Sequence, residues 1–518
     1  MRHWRGLLTS CAVCLASCSG ATLSPNQPVV VANEAETDEV EGKAQAQRQV
    51  WTYSVLLRSL LPVTADELDD LQAESLYSAS VHGRLVWLDL HGKSARQQLK
   101  RVQGPVSITL GNLSPELLQQ VDDVAKHYPV AIRYEPPVHA PQPADASSSD
   151  EEAAAAQQDL SALGSLRHVQ ALVLSAGLVG DFPDLRKCTA LRHLEVLEPE
   201  TQGELYERLP TGLEELVVGS VATTGSPKAL LRLTKLRRLE LSNSRESPLR
   251  DLTGLKALED LTVGDYLLDE DLKHLTALPK LRRFVTASPL TNEALRYLAR
   301  LPQLRALGLR QSHFDDDGAI KLGELTQLTE LTPPQDLRTD SLMRLAGLKN
   351  LKALYLHDSH LIDSGLQHLT TLTQLEILDV GGSGLTDAAA RSIDQFTNLR
   401  TLDLSSTTVG DETARALSTL TKLRRLNLQY TGITNAAVPA LLNLKELRTL
   451  HVNTTNLDGD AFIALLALPN LHRYYATTGE ADLRAADRIR GDLRLIDYYL
   501  VDCEHRRIRL PESECEDN

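Results

Sequence analysis

Leucine and other aliphatic residues recur along most of the chain in the pattern L-x-x-L-x-L, where x is mostly polar. The first position of this pattern falls at fourteen sites: Val169, Leu191, Leu213, Leu236, Leu258, Leu281, Leu304, Leu328, Leu351, Leu375, Leu399, Leu423, Leu447 and Leu471. Successive sites are 22 to 24 residues apart. The last two leucines alternate as in a short half-buried strand, and the apolar residues that follow are spaced as in a helix. The pattern predicts an α/β fold in which repeated strand–helix units bury one another's apolar faces.

The pattern, clearest in residues 399–422, resembles the leucine-rich-repeat family, whose repeats have this period. The repeat length near 24 and the phrase Leu385-Thr-Asp-Ala are similar to the ribonuclease-inhibitor-like and GALA-type subclasses. The resemblance implies a leucine-rich-repeat solenoid, a curved parallel sheet with outer helices, preceded by a small α/β module.

One feature departs from the family pattern at the turn after each strand, where many members carry asparagine. This chain has hydroxyl residues there: Ser312, Ser359, Ser383, Thr407, Thr431 and Thr455. We expect their hydroxyl groups to form a similar but weaker hydrogen-bond ladder between repeats. The prolines of Leu331-Thr-Pro-Pro334 predict a local break, because proline cannot donate to a sheet ladder.

The N-terminus has the features of an export signal. Arg2 and Arg5 form a positively charged segment before an apolar stretch that ends in Leu15-Ala16-Ser17-Cys18. This ending resembles the lipobox of bacterial lipoproteins, which implies cleavage before Cys18 and a lipid on its thiol. The apolar stretch is shorter than the roughly 20 residues that a transmembrane helix needs. We therefore expect a lipid-anchored protein of the bacterial cell envelope, at the outer membrane because Ser19 rather than aspartate follows the cysteine; a plain signal peptide is the alternative.

Composition and periodicity together predict how the chain is divided into segments. We expect a lipoprotein signal peptide at 1–17, a disordered tether at 18–48, a small α/β module at 49–135, a disordered linker at 136–160, the repeats at 161–500 and a C-terminal cap at 501–518. Predicted strand centres at Leu88, Ile108 and Ile132 are 20 and then 24 residues apart. The module is therefore either a separate unit or a set of degenerate repeats.

Charge, cysteine content and motifs indicate which partners, disulfides and cofactors are to be expected. The formal net charge of −15 disfavours nucleic acid, because an acidic body gains nothing from the release of phosphate counterions. Cys503 and Cys515 are close enough in sequence to form a disulfide in an oxidising compartment, whereas Cys188 has the surroundings of a small buried residue. No cofactor or metal is predicted: Gly92-Lys93-Ser94 lacks the rest of a phosphate loop, and residues 313–324 begin with histidine where a calcium loop needs a carboxylate.

Side chains between the last two leucines of each repeat should face solvent on the concave side of the sheet. In the N-terminal half, Val173, Val217 and Val285 predict an apolar patch that needs a cover, for which the 49–135 module is a candidate. In the C-terminal half these positions hold Tyr355, Asp379, Asp403, Asn427, His451 and Tyr475, and His357, Arg425, Tyr430 and Arg473 flank them. We call these ten residues the stripe. Tyrosine and arginine are frequent anchors of protein interfaces.

These features predict a non-enzymatic protein that binds a protein or glycan partner through the stripe, with a merely solvated concave face as the alternative. Three other readings remain open: an enzyme with its active site in 49–135, an inhibitor of another enzyme, and an intracellular ligase adaptor. Asp379 and Asp403 stand on neighbouring predicted strands, but no third ligand or nucleophile completes a cation or acid–base site.

Overall fold

The computed structural model describes residues 86–89, 99, 106–110, 113–134, 160–174, 179–196, 200–202, 205–219, 226–241, 247–264, 267–471, 473–477, 497–501 and 507–508. Two compact units contain them: the first extends to Leu267 and includes Lys273–Leu281, and the second comprises Leu268–Leu272 and the chain from Arg282 onward. The predicted lipid site Cys18, the tether, almost all of the linker, and the cysteines Cys503 and Cys515 lie outside the described residues.

Parallel strands form the first unit. They are Val86–Asp89 (β1), Val106–Leu110 (β2), Val130–Tyr134 (β3), Ala171–Leu174 (β4), Val179–Asp181 (β5), His193–Val196 (β6), Glu200–Gln202 (β7), Glu215–Val218 (β8), Arg238–Leu241 (β9) and Asp260–Val263 (β10). β5 pairs only with β7, and the other strands pair in sequence order. The α-helix Pro115–Ala125 (α1) and the 3-10 helices Leu160–Ser165, Leu205–Arg208 and Pro227–Arg232 lie between strands along the chain.

The described strands of segment 49–135 belong to the same sheet as the first repeats. β3 is parallel to β4, with Ile132 opposite Leu172 and Arg133 opposite Val173. The buried carboxylate of Asp122 in α1 also accepts hydrogen bonds from the backbone N–H groups of Arg167 at 2.7 Å and His168 at 2.8 Å, in the turn before β4. This pairing favours degenerate repeats over a separate module.

The second unit repeats one strand–helix motif. Its strands are Arg283–Thr286 (β11), Ala306–Gly308 (β12), Glu330–Thr332 (β13), Ala353–Tyr355 (β14), Ile377–Asp379 (β15), Thr401–Asp403 (β16), Arg425–Asn427 (β17), Thr449–Val452 (β18), Arg473–Thr477 (β19), Asp497–Val501 (β20) and Arg507–Ile508 (β21). Successive strands are parallel from β11 to β20, and β21 is antiparallel to β20.

Short helices follow the strands of the second unit. The α-helices are Asn292–Leu298 (α2), Asp316–Gly323 (α3), Thr339–Leu342 (α4), Asp363–Leu369 (α5), Ala390–Ile393 (α6), Asp411–Leu417 (α7), Val438–Leu441 (α8) and Gly459–Leu465 (α9). The 3-10 helices are Met343–Gly347, Asp387–Ala389 and Asn435–Ala437, and a further one, Asp269–Ala277, contains residues of both units. Within the described residues no helix is both long and apolar enough to cross a membrane.

The motif leucines are the core of each repeat. Leu402 of β16 is 1 % exposed and Leu404 is fully buried, as are Ala414 and Leu417 on the inner side of α7. Strand and helix therefore share one apolar interior, and the predicted α/β leucine-rich-repeat solenoid is confirmed.

The expected break at Pro333 and Pro334 takes the form of a shortened hydrogen-bond ladder between β13 and β14. β13 pairs with both of its neighbours, but only two residue pairs join it to β14. In the next repeats the residue after the strand donates across the sheet, as Leu356 does to the Asp379 carbonyl at 2.7 Å. Proline at position 333 has no N–H group for this bond. The local break thus consists of a missing ladder bond after Thr332, and β13 itself is continuous.

The hydroxyl groups after the strands do not form the expected ladder between repeats. Thr407 and Thr431 donate to carbonyl groups of their own repeat, three residues earlier and 2.6 Å away in each case. Among the predicted members, Ser312 does reach the preceding repeat, with its hydroxyl 3.3 Å from the Ser288 carbonyl. At Thr407 and Thr431 the carbonyl group of the same turn is the nearer acceptor, and backbone groups supply the ladder between repeats.

A left-handed backbone residue recurs in this turn every 24 residues. It is Asp358, Gly382, Ser406, Tyr430 and Thr454, with φ between 55° and 66°. The N–H of Ser406 donates to the Gln429 carbonyl of the next repeat at 2.8 Å, and the Tyr430 N–H donates to the Asn453 carbonyl at 2.9 Å. The left-handed conformation, which is unfavourable for residues other than glycine, thus directs one backbone donor per repeat toward its neighbour.

Glycine substitutions in this row should change stability in opposite directions. Ser406→Gly should raise the free energy of unfolding by about 0.5–1 kcal/mol, because glycine adopts φ near +60° without a Cβ penalty. Gly382→Ala should lower it by at least ~1 kcal/mol, since the added Cβ would also collide with the Asp358 carboxylate. Thermal unfolding of both variants beside the unmodified chain measures the effect, and a loss of stability in Ser406→Gly would contradict this account.

Candidate functional site

The register of the second unit places the central residues of the stripe in one row. Tyr355, Asp379, Asp403, Asn427, His451 and Tyr475 stand opposite one another on consecutive strands from β14 to β19. They alternate with buried residues such as Leu378 and Leu402, so they lie on the sheet face that points away from the helices. We call this the open face.

The other predicted residues flank this row. Arg425 and Arg473 belong to a parallel row, in which Thr449 stands between them. His357 follows β14, and Tyr430, which is 37 % exposed, occupies the left-handed turn position after β17. The structure therefore brings all ten residues of the stripe onto one side of the second unit.

Asp379 is held by groups from its own repeat and the preceding one. Its Oδ1 atom accepts a hydrogen bond from the Gly381 N–H at 3.1 Å and lies 3.1 Å from Nδ1 of His357. The second ring nitrogen of His357 is 3.6 Å from the Asp358 carboxylate. His357 is thus placed between two carboxylates, only one of which belongs to the predicted stripe.

Asp403 accepts three hydrogen bonds from neighbouring groups. Its Oδ1 atom accepts from the N–H of Ser405 at 2.8 Å and from the Ser405 hydroxyl at 2.5 Å, and its Oδ2 atom accepts from the Asn427 side chain at 2.8 Å. Burial and, after it, the negative charge of Asp379 raise the pKa of Asp403 above its usual value, against the lowering effect of these hydrogen bonds. The negative charge of Asp379 therefore opposes the ionisation of Asp403.

The carboxyl pair lacks the surroundings of a metal centre. Across the described part of the chain, no three His, Cys, Asp or Glu side chains are arranged to hold a metal ion. Asn427 uses its amide group on both sides, since its Nδ2 donates to Asp403 and its Oδ1 accepts from the Gln429 N–H at 3.1 Å. The arrangement from β15 to β17 is a closed hydrogen-bond network rather than an open set of ligands.

The C-terminal end of the stripe has different surroundings. The rings of His451 and Tyr475 stack with centroids 4.1 Å apart and planes 6° from parallel. Burial, with a smaller contribution from the Arg473 charge, lowers the pKa of His451 to about 4, so its imidazole is neutral at pH 7. Nη2 of Arg473 and Oδ1 of Asn453 are shielded from solvent and have no hydrogen-bond partner.

Ser405 and Asn453, two residues beside the stripe, were not predicted as site residues from the sequence. They occupy the same repeat position as His357 and Gln429, each 24 residues or a multiple of 24 away. This position follows the last leucine of the motif and contacts the open face at the ends of the strands. This position could be identified from the sequence by extending the repeat alignment one residue beyond the last leucine of the motif.

The corresponding face of the sheet in the first unit is buried, whereas the stripe of the second unit is half-exposed. Every residue of β2, β3 and β4 is buried, including Val173 at 1 % exposed. The expected apolar patch is therefore covered at Val173 and Val217, and half-buried at Val285 in the second unit. The suggested cover is wrong for β1 to β3, because these strands lie beside β4 in the sheet.

Glu195 lies on this closed face between Val173 and Val217 in the strand register. It is 7 % exposed, and its Oε2 atom has no hydrogen-bond partner. Burial raises its pKa to about 7. Cys188 in the first unit is also buried, with a pKa raised by burial to about 12, which agrees with its expected role as a small core residue.

No protein-family model matches the sequence, and a search of the curated proteins finds no match. Among solved structures, the chain is similar to an internalin, InlF, of Listeria monocytogenes, with 18 % identity and a TM-score of 0.34 over 62 % of this chain and 86 % of the internalin. A leucine-rich-repeat protein of Leptospira interrogans gives 16 % identity and a TM-score of 0.40 over 79 % of this chain and 99 % of its own.

A third similar structure is the ectodomain of the plant receptor kinase GASSHO1/SCHENGEN3 of Arabidopsis thaliana, solved in complex with CASPARIAN STRIP INTEGRITY FACTOR 2. Its identity is 16 % and its TM-score 0.37, over 81 % of this chain and 53 % of the ectodomain. The fold assignment of the present chain rests on the register and burial of its own strands.

Replacement of Asp379 by asparagine should lower the pKa of Asp403. The change removes the charge of Asp379 while leaving Oδ1 to accept from Gly381 and His357. Because the folded pKa of Asp403 is raised, its ionisation costs stability as pH rises from the unfolded value near 3.9 through the folded one. In Asp379→Asn this loss should be smaller.

Carbonyl NMR titration of aspartate-labelled protein, together with melting temperatures between pH 3 and pH 8, measures both effects. Asp340→Asn is the charge-matched control, since Asp340 is exposed on α4. An Asp403 titration midpoint that is identical in Asp379→Asn and the unmodified chain would show that the carboxyl groups do not interact.

Proposed function

We propose that this chain is a lipid-anchored lipoprotein of the bacterial envelope that binds a partner protein through the stripe on the open face of its second unit. The observation that supports binding is the in-register row from Tyr355 to Tyr475, which combines aromatic rings, both charge signs and amide groups on one half-exposed surface. Such a mixture of tyrosine, arginine and polar groups is typical of protein interfaces.

A protein is a better candidate than a glycan for this surface. Aromatic residues that bind sugars present a free ring face, whereas His451 and Tyr475 cover one face of each other's rings. The charged groups of the stripe offer complementary contacts to a protein surface instead. A sulfated or acidic glycan would be an alternative outcome of the partner search.

The rigid sheet favours this function in a second way. Backbone bonds between repeats and the closed network around Asp403 fix the side chains before a partner arrives. A preorganised surface loses less conformational entropy on binding, so more of the contact energy becomes affinity.

Partner binding is tested by changing the stripe while keeping the fold. A triple variant, Tyr355→Ala, Asp403→Ala and Tyr475→Ala, should reduce recovery of the partner at least tenfold after crosslinking in intact cells and mass spectrometry. It removes two of the three tyrosines of the stripe and its central carboxyl group. The control is a triple alanine variant of the exposed outer residues Gln367, His368 and Glu412. Equal recovery from both variants would refute binding through the stripe.

The lipid anchor is tested separately through Cys18. Metabolic labelling with a fatty-acid analogue should modify the unmodified chain and not Cys18→Ser, because the thiol is the proposed attachment site. Cell fractionation should find the labelled protein with the membrane and the Cys18→Ser variant free of it, since no other anchor is predicted. Labelling that persists in Cys18→Ser would exclude this site.

A further inference from the structure

The position immediately before each strand of the second unit is mostly cationic. Across β11 to β18, all of which the structure describes, six of these eight positions hold arginine or lysine, and the other two hold Thr329 and Glu376. Because these strands are parallel, the six residues lie along the edge of the sheet where the strands begin. We call them the basic rim: Arg282, Arg305, Lys352, Arg400, Arg424 and Arg448.

Stacking these cations has an electrostatic cost. The N–H of Arg424 donates to the Arg400 carbonyl at 2.7 Å, and the Arg448 N–H donates to the Arg424 carbonyl at 2.7 Å, so the three arginines are neighbours on adjacent strands. Like charges at such positions repel each other. Glu376 offsets part of this repulsion, since its carboxylate lies 3.0 Å from Lys352 and 3.5 Å from Arg400.

The whole edge carries a positive charge. Among the described residues that lie between a helix end and the next strand, from 282 to 448, ten are arginine or lysine and four are aspartate or glutamate. A depression of about 480 Å³ at this edge is lined by Arg305, Lys349 and Lys352 together with amide and hydroxyl groups, and none of its lining residues is acidic. The edge therefore offers charge and hydrogen-bond donors to acidic side chains.

The opposite edge of the same unit carries exposed acids. There the chain passes from the end of a strand to the start of a helix, and the second helical residue is acidic in five of the eight described repeats from β11 to β18. We call these residues the acidic rim: Glu293, Asp317, Asp340, Glu412 and Asp460. All five are exposed, and Glu293 and Glu412 pair with an arginine of their own helix.

The fold accounts for the sign of these charges, because helix N-termini favour acids. Aspartates at the first helical position also connect repeats, as Asp411 does by accepting from the Thr434 N–H at 2.8 Å. The carboxylates of Asp317, Asp340 and Asp460 have no such role, since they form no hydrogen bond or ion pair with another described residue. They are available to cations from outside the chain.

We propose that the chain associates with further copies of itself, with the basic rim of one copy against the acidic rim of the next. Displacement of one copy along the strand direction brings the two rims together and places equal repeats side by side. One contact thus supplies counter-charges to both rims. The open face points away from this direction and stays accessible, so the inference goes beyond the proposed function and does not depend on it.

A second copy fits the basic rim better than a membrane of anionic lipids. The net charge of −15 opposes both, but the acids of a copy are held at the interval of the repeats, whereas lipid head groups have no fixed order. Eight strands span roughly 35 Å at the usual strand spacing, so the contact is small and the association reversible. Because the two rims differ, a third copy can add to the second.

Sedimentation velocity of the purified full chain measures the association. Every form carries Cys18→Ser, so that no acyl chain contributes. In 0.1 M sodium chloride, where the Debye length is about 10 Å, the sedimentation coefficient should rise with protein concentration, because rim contacts are shorter than this length. In 1 M salt, with a Debye length of about 3 Å, the rise should disappear. A coefficient independent of concentration in 0.1 M salt, or an equal rise in 1 M salt, would overturn the proposal.

Reversing the charge of either rim should raise the dissociation constant at least tenfold, because like charges then meet in the contact. The acidic-rim variant should lose association although its net charge is less negative, and it removes none of the hydrogen bonds described above. Melting temperatures verify that both variants fold. The basic-rim variant is Arg400→Glu, Arg424→Glu and Arg448→Glu, and the acidic-rim variant is Asp317→Lys, Asp340→Lys and Asp460→Lys.

Mixing the two variants gives the decisive result. Each retains one unaltered rim, so an equimolar mixture should again form a heavier species even though neither variant associates alone. The matched control makes the same change in net charge as the basic-rim variant at exposed positions of α3, α6 and α7, and it should associate as the unmodified chain does. It is Lys321→Glu, Arg391→Glu and Arg415→Glu. Two folded variants that do not associate when mixed, undiminished association of the acidic-rim variant alone, or equal loss in the control would refute contact through the rims.

Discussion

Register is the constraint on which the second unit depends. Parallel pairing places each open-face residue beside the residue 23 or 24 positions away, and a shift by one residue would turn the buried leucines outward. The loss from exposing Leu402, Leu426 and their counterparts exceeds any gain from the polar side chains. Sequence position in the repeat therefore determines position on the surface, and the stripe is a direct consequence of how the core is built.

Register also has an electrostatic cost, because it places similar residues next to one another. Asp379 and Asp403 occupy equivalent positions, so their carboxyl groups face each other across neighbouring strands. The chain offsets this repulsion with His357 on one side and with Ser405 and Asn427 on the other. The polar network of the stripe thus compensates for a repulsion that the register creates.

The structural features that follow from the repeat period could be predicted from the sequence. Leu402 and Leu404 had to point inward, and Tyr355 and Asp403 had to share a row, because strands have a two-residue alternation and repeats have equal lengths. The sequence did not predict which partner a short polar group binds when several donors or acceptors lie nearby. Thr407 bonds within its own turn, and the left-handed conformation of Ser406, which sends a backbone donor to the next repeat, leaves no mark on side-chain type.

The same limit applies to Arg473 and Glu195. By pattern Arg473 is equivalent to Arg425, and Glu195 is equivalent to Asp403, so the sequence could not separate a satisfied group from an unsatisfied one. The difference arises from which atoms lie within hydrogen-bond distance, and some of those atoms belong to another repeat, as Nδ2 of Asn427 does beside Asp403. Only the three-dimensional arrangement shows that Glu195 is enclosed between valines while Asp403 has three donors.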